Sequence, residues 1–140
     1  MNSLSNRASK RGQASIEYLM LVGTVLLIIA FISGYSFLTF SQTNSNNLIL
    51  SSLKNLEGAI NTVSALGEGN SVVTGITLPS GVTRFDVGNT YIFVEIEELG
   101  SKSSATSEFD VNLTGVLPTS QGIYDIQVKN VGGVVSLNVV

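Results

Sequence analysis

Gln13, Ser15 and Glu17 occupy alternate positions directly ahead of an uncharged apolar stretch, and Lys10, Arg11 and Gly12 precede them. A carboxylate at the edge of a segment suited to lipid costs on the order of 3 kcal/mol by insertion scales, so Glu17 needs a compensating partner. Its chemistry is charge pairing and hydrogen bonding rather than bond-making. The chain has no histidine and no cysteine, which removes the imidazole and thiolate groups behind most zinc sites and many nucleophilic sites. Glu95 and Glu97 alternate with Ile92, Val94 and Ile96, the pattern of a solvated strand face rather than of a calcium cage. Gly88-Asn89 and Gly132-Gly133 read as turns, not phosphate loops. The sequence therefore predicts no enzyme, no metal and no cofactor.

The element that must position Glu17 follows it. No charged residue occurs from Tyr18 to Leu53, and the 22 residues Leu19 to Phe40 are almost wholly apolar. As a helix they extend roughly 33 Å, enough to cross a bilayer. Mean hydropathy over the whole chain is +0.37, and the apolar excess is concentrated here rather than spread through a core. Arg7, Lys10 and Arg11 precede the run with no acid among them. Positive-inside bias then predicts residues 1–12 in the cytoplasm and residues from about 41 onward outside. Without residues 1–12, four basic and ten acidic residues remain, a net charge of −6. That balance argues against nucleic acid, which requires clustered Lys and Arg.

The first proline is Pro79, so one helix over residues 13–66 is permitted, with a weak point at the polar run 41–47. Ile49, Leu53, Leu56, Ile60 and Val63 repeat at helical spacing and predict one buried face, with Ser52, Asn55 and Asn61 elsewhere. Gly67-Glu68-Gly69-Asn70 supplies the stop. From Ser71 the period becomes two. Tyr91 to Glu97, Phe109 to Thr114, Tyr124 to Lys129 and Val135 to Val139 alternate apolar with polar residues. With turn signals at Pro79-Ser80-Gly81, Gly88-Asn89, Gly100-Ser101, Gly115 to Gly122 and Gly132-Gly133, the spacing predicts about six short antiparallel strands. The fold class is α+β: a long hydrophobic, then amphipathic, N-terminal helix (13–66, its transmembrane part about 19–40), followed by a small antiparallel, sandwich-like β domain over 67–140.

Arg11-Gly12-Gln13-Ala14-Ser15-Ile16-Glu17-Tyr18, running into the apolar helix, resembles the class III signal peptide of archaeal type IV pilin-like proteins. In that family a basic leader ends in Gly, and a Q-x-S-x-E pattern opens the mature chain. Gln13, Ser15 and Glu17 match it position by position. The resemblance implies a 1–12 leader, cut between Gly12 and Gln13 by a prepilin peptidase that recognises Lys10, Arg11, Gly12, Gln13, Ser15 and Glu17. Gly12 suits that role, since a residue without a side chain lets extended backbone enter a narrow active site. The resemblance further implies a homo-oligomeric helical filament, built by a pilus assembly platform and used in adhesion. Its precursor sits in the cytoplasmic membrane and its mature form lies at the cell surface. Glu17 would pair with the new amino group at Gln13 of a neighbour.

Other readings compete. A secretory signal has an apolar core of about 7–15 residues, shorter than this one. A simple single-pass anchor would use Ser15 and Glu17 as helix cap and dipole partner, but it leaves Gly12-Gln13 unexplained. An archaellin-like subunit has the same class of leader with a different start. A minor pilin, or a membrane-tethered binding protein that never polymerises, would carry a concave site outside. Asn112-Leu113-Thr114 is the one N-glycosylation sequon. Composition alone predicts about 2.6 such triplets, so its weight rests on Asn112 lying on the outward side of its predicted strand.

Overall fold

The computed structural model describes residues 15–140. A single helix α1 is assigned over Ser3–Leu66, and the chain divides into two compact units, Met1–Ser41 and Gln42–Val140. Hydrogen-bonded helix continues through 41–47. The polar side chains there do not interrupt the backbone ladder, which no proline breaks.

Seven strands follow: β1 Ser71–Leu78, β2 Val82–Val87, β3 Tyr91–Glu98, β4 Ser101–Glu108, β5 Asn112–Gly115, β6 Gly122–Val131 and β7 Val134–Val139. They form one sheet in the order β1-β6-β7-β5 and a second in the order β2-β3-β4. The architecture is α+β, as the periodicity predicts, with two corrections. There are seven strands rather than six, because β4 and β5 are separated at 109–111 by Phe-Asp-Val, which carries no glycine or proline turn signal. The β5–β7 pair is parallel, with Asn112 opposite Val134 and Gly115 opposite Leu137. The alternation from Phe109 also begins before its strand: Phe109 is buried, but β5 starts only at Asn112.

The helical stripe Ile49, Leu53, Leu56, Ile60 and Val63 is buried throughout. It shares one core with Ile76 and Leu78 of β1, Phe85 of β2, the inner face of β3, Ile126 and Val128 of β6, and Val135 and Leu137 of β7. Side chains at helical spacing meet side chains at strand spacing, so burial follows directly from the two periods. Truncating a fully buried Leu56 or Ile60 in such a core costs about 2–5 kcal/mol.

Ser52 departs from the sequence expectation. It falls off the apolar stripe, yet it is only 2 % exposed. Its hydroxyl donates to the Thr77 carbonyl at 2.8 Å and accepts from the Thr77 N–H at 3.0 Å. The Asn55 amide donates to the Gly75 carbonyl at 3.0 Å. Two helix side chains thus close the outer edge of β1, which would otherwise present unpaired backbone groups. At its C-terminus α1 stops at Gly67 (φ 85), where the Asn70 amide donates to the Leu66 carbonyl at 2.9 Å. Gly69 N–H then donates to the Asn130 carbonyl and Asn130 N–H to the Asn70 carbonyl, both at 3.0 Å. The end of the helix is thereby tied to β6.

The Ser52 bridge generates a stability prediction. Ser52→Ala leaves the part-buried Thr77 N–H and carbonyl without their side-chain partner, at a cost of about 1–3 kcal/mol. Asn55→Ala, at an exposed position where water can replace the amide, should cost less. Denaturant unfolding of both variants in detergent checks the order, and equal midpoints for the two would remove the edge-closing role of Ser52.

Candidate functional site

Lys10, Arg11, Gly12 and Gln13 lie outside the described residues. Ser15 and Glu17 are described, and both are exposed on α1. At about 100° per residue, Glu17 shares an azimuth with Tyr35 and lies near that of Thr24 and Phe31. It stands about 120° away from the line through Gly23, Ala30 and Gly34.

The segment from Ser15 to Phe40 is apolar on every side. Met20, Phe31, Tyr35, Phe37 and Phe40 are each more than 70 % exposed, and in the most apolar part of the helix the chain buries nothing of its own. Two of its hydroxyls bond back to the helix. Thr24 donates to the Met20 carbonyl at 2.9 Å and Thr39 to the Tyr35 carbonyl at 3.1 Å. Such bonding satisfies a hydroxyl within its own helix, as a bilayer, which offers no water, requires of any segment that crosses it. By length and composition this helix can cross a membrane, a test that an anchor and a signal sequence both pass.

Its relief is uneven. Ala30 and Gly34 leave a shallow apolar hollow flanked by Leu27, Phe31, Tyr35 and Leu38, and a Cβ at Gly34 would meet nothing within 4 Å. Small residues of this kind let a second backbone approach closely where lipid tails give no hydrophobic drive. The small pair was readable in the sequence. Its apolar walls follow from the i, i+4 and i+3 spacing of Leu27, Phe31, Tyr35 and Leu38.

The β domain offers little chemistry. Lys102 Nζ lies 3.4 Å from Glu97 and 3.7 Å from Glu95, and Thr83 donates to Glu95 at 3.1 Å. The acidic run is therefore one side of a cross-strand charge ladder. Arg84 pairs with Asp86 and lies over the Phe93 ring, 5.4 Å from its centroid. Asn112 is the exposed first residue of β5, with Thr114 on the same outward face. An open groove of about 240 Å³ runs between Asn46, Ile49 and Leu50 of α1 and Val94, Ile96 and Ser103 to Ala105 of the β3–β4 pair.

Comparison with protein-family models, curated proteins and solved structures finds no match to this chain. The architecture carries the comparison alone: one long apolar N-terminal helix followed by a small β domain, an arrangement compatible with a pilin-like protein.

Every buried hydrophobic residue among those described belongs to 42–140. A chain beginning at Gln42 should therefore remain soluble without detergent, keep its β-sheet circular dichroism and melt cooperatively. The full chain should require detergent or lipid. A Gln42 chain without a cooperative melt would show that the apolar segment contributes to the core.

Proposed function

We propose that this chain is the precursor of a structural subunit of an archaeal type IV-like surface filament. A prepilin peptidase cuts it between Gly12 and Gln13, and an assembly platform withdraws the retained helix from the membrane into the filament core. The β domain then forms the exterior and makes the adhesive contacts. The observation that carries this reading is the 15–40 segment: apolar on all sides, its most apolar stretch unburied among the described residues, and leading into a helical stripe already committed to the β-domain core. Lipid covers such a surface before assembly, and helices of neighbouring copies do so afterwards.

Glu17 gives that association direction. It lies near the polar entry of the helix, on an azimuth different from the small-residue hollow, so charge and shape complementarity address different neighbours. Paired with the amino group of Gln13 in a neighbour, its charge is offset in a low-dielectric setting where an unpaired carboxylate is costly. The reading assigns no catalytic role to any residue. Its rival, a tethered binding protein that does not polymerise, needs a concave ligand site. The groove beside β4, at about 240 Å³, and a second hollow of about 350 Å³ beside Asn47, Ser51 and Lys54 contain no aromatic or acidic residue in their linings, a poor set of groups for orienting a ligand.

Two outcomes test the proposal. N-terminal sequencing of the protein from its native membrane or filament should begin at Gln13, and a start at Met1 or beyond residue 40 would overturn it. Glu17→Ala should leave processing at Gly12 largely intact while filaments fall at least about tenfold, the scale of losing one buried charge pair. Normal filament yield from that variant, counted by electron microscopy, would remove the docking role of Glu17.

A further inference from the structure

The sheet edges of the β domain are treated unequally. The outer edge of β1 is closed by Ser52 and Asn55. β2 and β5, at the neighbouring edges of the two sheets, come into contact, and Leu113 N–H of β5 donates at 2.6 Å to the carbonyl of Asn89, in the turn that follows β2. β4 pairs with β3 over all eight residues without a bulge. Among the described residues no hydrogen bond reaches its other side. It contains no proline, and Ser103 to Ser107 carry no charge. A straight, uncovered edge of this length is a template for another strand.

The ladder shows which groups face outward. Phe109 N–H donates to the Thr90 carbonyl at 2.8 Å, which makes Thr90 and Phe109 a hydrogen-bonded pair. Such pairs alternate along an antiparallel ladder, so Ser107, Ala105 and Ser103 direct their backbone groups toward Ile92, Val94 and Ile96. On the other side of β3, Glu97 N–H donates to the Gly81 carbonyl at 2.8 Å, which agrees with this parity. Lys102, Ser104, Thr106 and Glu108 therefore point their N–H and carbonyl groups away from β3, into the open edge.

We propose that β4 pairs antiparallel with the β4 of a second copy of this chain, in the register that sets Ala105 against the partner's Ala105. The parity of the free groups permits only registers that match outward-facing residues with each other. Of these, the register centred on Ala105 uses all four: Lys102 with the partner's Glu108, Ser104 with the partner's Thr106, and the same pairs reversed. Shifts by two residues in either direction lose a rung. The chosen register also places a lysine directly opposite a glutamate at both ends, on the outward face of the sheet. Its centre is a close, non-hydrogen-bonded pair, where Cα atoms approach to about 4.5 Å, and only a small side chain such as Ala fits there against the core. Charge complementarity and ladder parity thus select one register independently of each other.

The contact is isologous and closes on itself, joining two copies and no more. It cannot be the head-to-tail contact that propagates a helical filament. It links two chains, or two filaments that carry them, side by side through a continuous sheet running from one β2 to the other. It stands apart from the filament reading, because it requires neither cleavage at Gly12 nor polymerisation.

The chain's lack of cysteine allows a register-specific test on the full chain in detergent micelles. Ala105→Cys should form a disulfide-linked dimer under mild oxidation. Ser101→Cys should not, because two such residues would lie about 27 Å apart along the paired strands. Adding Glu108→Lys to the Ala105→Cys chain sets like charges opposite each other at both ends and should lower the cross-linked fraction about tenfold, whereas Glu108→Gln should lower it less. Circular dichroism of each variant confirms an intact sheet. Equal cross-linking at positions 101 and 105, or a yield unaffected by Glu108→Lys, would overturn the pairing.

Discussion

The apolar surface of residues 15–40 is the constraint on which the rest depends. A side chain such as Phe or Leu loses about 1.5–3 kcal/mol of stabilisation when left in water, and this segment presents many of them on every side. The amphipathic face from Ile49 to Val63 is itself filled by the core of the β domain. Under the function proposed above, the covering material is lipid or the helices of other copies, and membrane residence and self-association both answer that one deficit.

The switch from an all-round apolar helix to an amphipathic one is what allows a single element to serve two environments. After Phe40 the polar residues Ser41 to Asn47 raise the polarity without breaking the backbone ladder, and from Ile49 one face becomes the floor of the β domain. Ser52 and Asn55 then use the flank of that same helix to close the edge of β1. A hydrophobic stripe sets where the helix lies, and two polar side chains beside it fix the register of helix against strand. The β domain can thus do without disulfides, which small exported domains often require.

Much of this was readable from residue order, for physical reasons that also explain what was not. The stripe from Ile49 to Val63 and the alternations of β3, β6 and β7 are visible because burial on one face imposes a period. β4 escapes notice because an edge strand over an open groove has no buried face to enforce alternation: Ser103 and Ser107 occupy inward positions where a central strand would carry Ile or Val. Ser52 is hidden for the opposite reason, since a buried serine bonded to an edge looks the same in sequence as a solvated one. The parallel β5–β7 pair depends on where the 116–121 connection returns the chain, which no local period records. The motif from Lys10 to Gln13 is the reverse case, informative in sequence and outside the described residues.

Two kinds of association then follow from two kinds of unsatisfied surface, and their symmetries differ. The helix offers unsatisfied apolar area with a hollow on one azimuth and a carboxylate on another. Complementary but distinct patches of that kind join copies head to tail and can repeat without limit. The β4 edge offers unsatisfied hydrogen-bonding groups with opposite charges at its two ends, a pattern complementary to itself under a two-fold rotation. In the assembly proposed above, one surface would build length and the other would only join what has been built. Because the first is apolar and the second polar and charge-paired, salt weakens the second far more than the first. In the proposed filament, lateral contacts would then form and release while the helical packing persists.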